Sequence, residues 1–421
     1  MSITNFENKL LNVIKEQRLL QWENYACDKN HDLNKVNKKI YNLITEKSYE
    51  DIFNDRKKEI YDRLYTKYII ENELNIARLR NKLDNRSNYN SNLDKNHSNY
   101  KVKLAKQMRD DVVQLIKLRN KKAKNMGFTS YPDLIFYTEE LNRDSVKNQI
   151  ENYLNKNIEK ASSLINKYNL TWQNWFDRLR SIGTFKSNNY QTYIDCLLSR
   201  LGFDSLKESI EFYFKEQPIS GIAFGISIPD DIKILLKPVT SLMKSKVLFH
   251  ECGHGINYAS NKEKGLYTLY TTSCDEIIAT VFETIGIKIC MNKKERQITE
   301  EIKFLESIRC SISHLFEMEL WGNTDRAENL FREYQQILPM KPENKSLWTL
   351  DTFRYIDPVY NHNYVLGELY SQDIVNKLEA VFGDNYKEWG RVIYRYFLKE
   401  GRKRAFENKY QKFVDDFKAG I

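Results

Sequence analysis

The sequence predicts a mainly α-helical protein with one small β-sheet. Three observations predict it. Apolar residues recur at helical spacing through most of the 421 residues. Hydrophobic residues make up 41% of the chain and charged residues 29%, the balance of a globular protein with long solvated helix faces. A run rich in β-branched residues, aromatics and glycine occurs once, between residues 219 and 236.

Taken in order, residues 5–80 read as charged amphipathic helices. Leu10, Leu11, Val13, Ile14, Leu19, Leu20 and Trp22 form a first apolar stripe, and Ile60, Leu64, Tyr68, Ile69, Leu74 and Leu79 a second. The Asn/Ser-rich stretch 84–100 is expected as an exposed loop, with His97 facing solvent. Helix resumes at Val102 and runs to Asn125, where Gly127 suits a C-terminal cap. Thr129 or Ser130 caps the next helix, with Pro132 in its first turn. Further helices are expected over 142–163, from Trp172 through Arg180, and from Tyr190 to Phe214.

The texture changes at Pro218. Ile219–Ile228 and Ile232–Leu236 read as two strands joined at Pro229-Asp230-Asp231. Pro238 and Thr240 open a helix that reaches about Ser260. Helices follow over 273–290, 302–320 and 326–337, then a loop bounded by Pro339 and Pro342, then C-terminal helices with the basic run Arg402-Lys403-Arg404. There is no short internal repeat. The chain is divided approximately at residue 215, into 1–215, a helical region forming one channel wall, and 216–421, the catalytic zinc region, with one interwoven domain as the alternative.

A net charge of +9 is modest at this length, and the basic residues are interleaved with acids, so nucleic acid is not an expected partner. No run of about 18 apolar residues and no signal peptide is visible, so no membrane association is expected. The six cysteines form no C-x-x-C pair and read as reduced thiols, which places the chain in the cytoplasm. Oligomeric state is not legible.

The chemistry concentrates in VLFHECGHGINYAS, residues 247–260. His250, Glu251 and His254 make H-E-x-x-H, and histidines four apart lie on one helix face, where they can grip one metal ion. Two imidazoles leave a zinc site short of a ligand, since a catalytic site uses three protein donors and an open position. The extended motif with a third histidine is absent, because Asn257 and Ser260 stand at its later positions. Asp275 and Glu276 open the next helix, and Glu276, Thr280 and Glu283 share a face. Glu276 is the chosen third ligand, Asp275 the competing one, and Glu283 a supporting partner. Cys252 and Cys274 read as buried small residues, and Gly253 and Gly255 as points of close approach. One Zn2+ ion is therefore expected. It lowers the pKa of water and polarises a carbonyl, while Glu251 acts as general base. Tyr360, His362 and Tyr364 are the candidate donors to the oxyanion. The strand before the motif helix is either structural or an edge on which an extended peptide adds.

Four stretches together resemble the thimet oligopeptidase and oligopeptidase F family of zinc metallopeptidases, related to angiotensin-converting enzyme. LRNKKAKNMGFTSYPDL, residues 118–134, is similar to the family's R-N-x-x-A-x-x-x-G-F-x-x-Y helix pair. HECGHGINY matches the zinc helix. DEIIATVFE, residues 275–283, resembles the helix that supplies the glutamate ligand, which places that ligand on Glu276. DPVYNHNYVLGELYSQDI, residues 357–374, resembles the late Tyr/His segment. The resemblance implies a large helical metallopeptidase body with a deep substrate channel, a small sheet beside the zinc helix, and short peptides as substrates. The family's late histidine has no match in DTFRYID, so His362 substitutes or the donor is tyrosine alone. Its Gly-rich C-terminal loop is replaced by KEGRKRAFE.

The function expected is that of a zinc-dependent oligoendopeptidase. Two alternatives stand beside it: a catalytically weak zinc- or peptide-binding relative, and a carboxypeptidase that releases dipeptides.

Overall fold

The structure, a computed structural model, describes residues 3–46, 54–91, 98–183, 190–217 and 219–418. His97 and Pro218 lie outside them. The chain runs through α1 (Ile3–Ala26), α2 (Asn34–Thr45), α3 (Asp55–Glu71), α4 (Leu74–Ser91), α5 (Ser98–Asn125), α6 (Tyr131–Thr138), α7 (Arg143–Tyr168), α8 (Trp175–Ser181) and α9 (Tyr190–Leu201). Strands β1 (Ile210–Phe214), β2 (Gly221–Ser227) and β3 (Asp231–Leu236) follow. Then come α10 (Leu242–Ala259), α11 (Thr272–Cys290), α12 (Lys293–Leu320), α13 (Ala327–Gln335), α14 (His362–Phe382), α15 (Tyr386–Ile393) and α16 (Phe406–Lys418). The fold is mainly helical with one small sheet, as its sequence predicts. Among the described residues no helix is long and apolar enough to cross a membrane.

Contacts divide the chain into two units that interleave along the sequence. Unit 1 is Met1–Asp62, Leu179–Lys303 and Leu366–Ile421, and unit 2 is Arg63–Arg178 and Phe304–Val365.

In unit 1 the sheet order is β1-β3-β2, with β1 parallel and β2 antiparallel to β3. β1 corrects the expectation of a helix from Tyr190 through Phe214. That helix stops at Leu201, where Gly202 takes a φ of +77°, open to glycine at little cost. The register then pairs Ile210 with Ile232 and Phe212 with Ile234, so pairing with β3 overrides the helical reading of a five-residue stretch. α1 carries a row of residues four apart and packs against β2 through its later members. Leu10 and Ile14 are buried, Arg18 donates to the Gly225 carbonyl (2.6 Å), and Trp22 closes a cluster with Phe224, Ile226 and Leu235. Burying one such side chain is worth roughly 1.5–3 kcal/mol. Leu19 falls off this row and is 40% exposed, which corrects its place in the first stripe. Deeper in unit 1, the Lys303 ammonium reaches Glu368 (2.8 Å), Thr284 Oγ1 (2.5 Å) and Ser371 Oγ (3.3 Å), tying α11, α12 and α14 together.

In unit 2, buried Arg119 on α5 donates to both Glu71 carboxylate oxygens (3.0 and 2.7 Å) and to the Tyr355 carbonyl (3.0 Å), while the Tyr131 hydroxyl also reaches Glu71 (2.7 Å). The second apolar stripe is two helices, not one. Glu73 breaks it by accepting from the N–H groups of Asn75 and Ile76, both at 3.0 Å, and so caps α4. α4 then continues to Ser91, which shortens the loop expected over 84–100. Ser130 caps α6 and Gly127 takes a φ of +91° after α5.

Candidate metal centre

Ser241 starts α10: its side chain accepts from the Lys244 N–H, a cap worth about 1 kcal/mol. Lys246, His250, His254 and Tyr258 then form one row along the helix, each four residues from the next. Thr271 caps α11 in the same way, through the Cys274 N–H, and puts Glu276 in the second turn with Glu283 farther along. The two helices touch backbone to backbone. A Cβ at Gly253 would stand 2.7 Å from Ala279 Cα and 2.8 Å from its carbonyl oxygen. Gly253 is thus where helix meets helix, and Gly255 faces Ile234 and Ile210 of the sheet.

This contact brings three donors together. One ligand atom from each of His250, His254 and Glu276 lies within 4.8 Å of the others, the only such group among the described residues. His250 Nε2 is 3.2 Å from a Glu276 oxygen and His254 Nε2 is 3.7 Å from the other. Each imidazole has a carboxylate at its other nitrogen. His250 Nδ1 meets Glu283 at 3.1 Å, and His254 Nδ1 meets Asp275 at 3.1 Å. Asp275 is in turn fixed by the Asn257 amide (2.8 Å) and the Tyr258 hydroxyl. Asp275 therefore orients a histidine and is not in the donor trio. Glu283 orients the other and lies 3.6 Å from Lys246. The orienting role of Asp275 and the row partners Lys246 and Tyr258 go unassigned in the sequence reading. The four-residue spacing along α10 is the signal that could have found the latter two.

The charges are arranged to hold a cation. Burial works against protonation of His250, but hydrogen bonds to Glu276 and Glu283 raise it to about 10. His254 is likewise opposed by burial and raised by Asp275 to about 9. Burial works against Glu283 too, yet Lys246 and His250 bring it down to about 2. Two imidazoles and a carboxylate, braced by carboxylates behind them, fit a zinc ion in donor type and number. Its binding would displace the imidazole protons.

Glu251 is 7% exposed, and burial raises its carboxyl above the usual range, partly offset by the two histidines. β2 passes against it, since a Cβ at Gly221 would stand 2.7 Å from Glu251 Cγ. β2 is an edge strand. The Lys237 N–H donates to the Ser220 carbonyl (3.0 Å), which fixes the alternation: residues 220, 222 and 224 bond to β3, and 221, 223 and 225 turn their backbone outward. Arg18 takes the Gly225 carbonyl, and Gly221 is the residue that lies against Glu251. Cys252 and Cys274 are buried.

Tyr360, His362 and Tyr364 belong to unit 2, whereas the donor trio belongs to unit 1. Tyr360 stacks on Phe353 (centroids 4.9 Å apart) and lies 5.5 Å from Tyr364, both phenols half-buried. The His362 ring is fully buried against Phe136 and His314.

Neither a protein-family model nor a curated protein matches this sequence. Solved structures do. An M32 carboxypeptidase from Deinococcus radiodurans R1 overlies 98% of this chain and 94% of its own, with a TM-score of 0.69 at 10% identity. Trypanosoma cruzi metallocarboxypeptidase 1 overlies 98% and 94%, with a TM-score of 0.69 at 11% identity. A protein of Bacillus anthracis str. Ames described as an oligoendopeptidase F overlies 96% and 85%, with a TM-score of 0.58 at 12% identity. At these identities the likeness establishes the fold. That fold is shared with carboxypeptidases as well as with an oligopeptidase F, a wider circle than the sequence resemblance alone indicates.

Proposed function

We propose that the protein is a zinc-dependent peptidase acting on short peptides in the cytoplasm. The observation that carries this reading is the grouping of His250, His254 and Glu276 within 4.8 Å, beside a buried Glu251. When bound, zinc lowers the pKa of water and polarises a carbonyl oxygen. Glu251 accepts the proton of the attacking water and passes it to the departing amine. Its raised pKa suits a carboxyl that must both take and give a proton. The outward backbone of Gly221 and Ala223 offers an extended peptide main-chain hydrogen bonds. The half-buried phenols of Tyr360 and Tyr364 are the proposed oxyanion donors. His362, also a candidate on sequence, is enclosed among rings, which favours the tyrosines.

The test is a quenched-fluorescent peptide library with wild type and Glu251→Gln, zinc content measured on both. The expected result is cleavage by wild type, loss of it on chelation, and a variant that holds zinc but is slower by at least about 100-fold. Equal inertness of two zinc-loaded proteins would sink the peptidase reading in favour of a binding protein.

A second reading concerns where the cut falls. The carboxypeptidases overlie this chain with TM-scores of 0.69, against 0.58 for the oligopeptidase F. That favours cleavage near a free C-terminus over internal cleavage. Peptides with amidated C-termini separate the two: an endopeptidase cuts them, a carboxypeptidase does not.

A further inference from the structure

Two thiols meet where α9 lies along the end of α11, at a place the metal chemistry does not use. Cys290 is the last residue of α11, so along the helix it is roughly 21 Å from Glu276. The Cys196 thiol donates to the Ile289 carbonyl at 3.9 Å, and the Cys290 thiol to the Tyr193 carbonyl at 3.9 Å. These crossed contacts place each thiol against the backbone of the helix that carries the other. Arg200 donates to the same Ile289 carbonyl (3.0 Å) and so sets its guanidinium beside Cys196. Both cysteines are half-buried and within reach of solvent. The other four stand apart in kind, with Cys27 exposed and Cys252, Cys274 and Cys310 buried.

We propose that Cys196 and Cys290 are an oxidisable dithiol, in which Cys196 attacks a low-molecular-weight disulfide and Cys290 resolves the product into an intramolecular disulfide. The chemistry is thiol–disulfide exchange. The Cys196 thiolate attacks one sulfur of R–S–S–R, a new S–S bond forms, and RS⁻ leaves. Cys290 loses its proton to solvent, and its thiolate attacks the Cys196 sulfur, expelling the second RS⁻. Two protein thiols are oxidised to one disulfide, and R–S–S–R is reduced to two RSH.

The surroundings assign the two roles. The neighbouring Cys290 thiol lowers Cys196 below the ordinary thiol range, burial opposing, and the Arg200 guanidinium held at the Ile289 carbonyl favours its thiolate, which makes Cys196 the attacking sulfur. The neighbouring Cys196 and burial raise Cys290, whose thiol sits at the Tyr193 carbonyl and not at the Ile289 carbonyl where Arg200 is held, so it is the resolving sulfur. The chain leaves the helix at Met291, whose backbone is extended. The product ties α9 to α11 covalently. Tyr193, one turn before Cys196, packs on Phe249 (5.8 Å), the neighbour of His250, so the tie joins α11, which carries Glu276, to a helix that packs on α10.

The test treats the full-length protein with glutathione disulfide near pH 7.5, blocks free thiols with N-ethylmaleimide, and maps the peptides by mass. The expected wild-type result is a linked pair carrying residues 196 and 290, lighter by two hydrogens and separated by dithiothreitol. In Cys290→Ser a glutathione adduct accumulates on Cys196, and in Cys196→Ser residue 290 stays free over the same time. Cys196 should react about threefold faster than an unperturbed thiol, the gain in thiolate outweighing its lower nucleophilicity. Wild-type protein in which Cys27 carries glutathione while residues 196 and 290 both take maleimide would overturn the proposal. So would a stable adduct on Cys196 with no link, or a link in which Cys290 is modified first.

Discussion

His254 Nδ1 stands 3.1 Å from the Asp275 carboxylate, and Nε2 of the same ring stands 3.7 Å from Glu276. One carboxylate thus fixes the ring that a second carboxylate completes as a metal donor pair. Asp275→Ala is expected to weaken zinc binding by about 10- to 100-fold, with part of the loss recovered in Asp275→Asn. Competition against a chromophoric chelator measures this. An unchanged affinity in Asp275→Ala would show that the ring needs no brace.

Zinc binding should release protons, and should weaken as pH falls. His250 and His254 are raised to about 10 and about 9, so without an ion both imidazoles keep protons through neutral pH. A cation must displace them, and affinity should fall by up to about tenfold per pH unit for each proton displaced. Calorimetry in buffers of different ionisation enthalpy counts the protons. A heat independent of buffer would contradict the arrangement.

Gly253→Ala should destabilise the protein by about 1–3 kcal/mol, although alanine is the better helix former. The new methyl would stand 2.7 Å from Ala279 Cα, and backbone cannot swing aside as a side chain can. Thermal melts of wild type and variant test this, and an equal or higher melting temperature in the variant would refute it. Zinc affinity should fall with stability, because the clash forces apart the helices that hold the trio.

Unit 2 should lose stability in mild acid. Burial lowers His362 to about 4, opposed slightly by Glu139, and burial puts His314 well below the ordinary range, with His362 and Arg354 adding to it. Folded-state pKa values below the unfolded value of about 6.5 mean that the unfolded chain binds more protons below that pH. The stabilising effect of the neutral rings is therefore whole above about pH 6.5. It is lost as pH falls toward 4, by roughly 1 kcal/mol per pH unit for each histidine. Denaturant unfolding at pH 7.5 and pH 5 should show this slope, and His362→Leu should flatten it. A slope identical in the variant would exclude His362 as its source.

Much of this was readable from sequence because helical chemistry is local. The spacing of His250 and His254 needs one helix, and the brace from Glu283 follows from its place on a shared face with Glu276. Ser130, Pro132 and Gly127 announce a helix boundary within a few residues. What was not readable depends on partners far along the chain. Residues 210–214, IEFYF, are strand-forming in type, but five residues are too few for period alone to part strand from helix, and the pairing with β3 decides it. Leu19 looks like part of a stripe until the rotation of α1 is set by the seat of Trp22 on Phe224 and Leu235. Asp275 and Glu276 are adjacent carboxylates, and only the crossing of α10 over α11 shows that one meets Nδ1 of His254 and the other Nε2. The pairing of Cys196 with Cys290 likewise exists only once α9 is laid along α11.

The backbone contact between Gly253 and Ala279 leaves α10 and α11 no room to slide past each other. The seam couples the two helices, so a displacement of one would press on the other. The three donors then act as a preset gauge rather than a clamp that forms around its ion. A cation whose radius or preferred geometry differs from the gauge cannot remodel it. Selection among metals would lie in that stiffness as much as in the identity of the donor atoms.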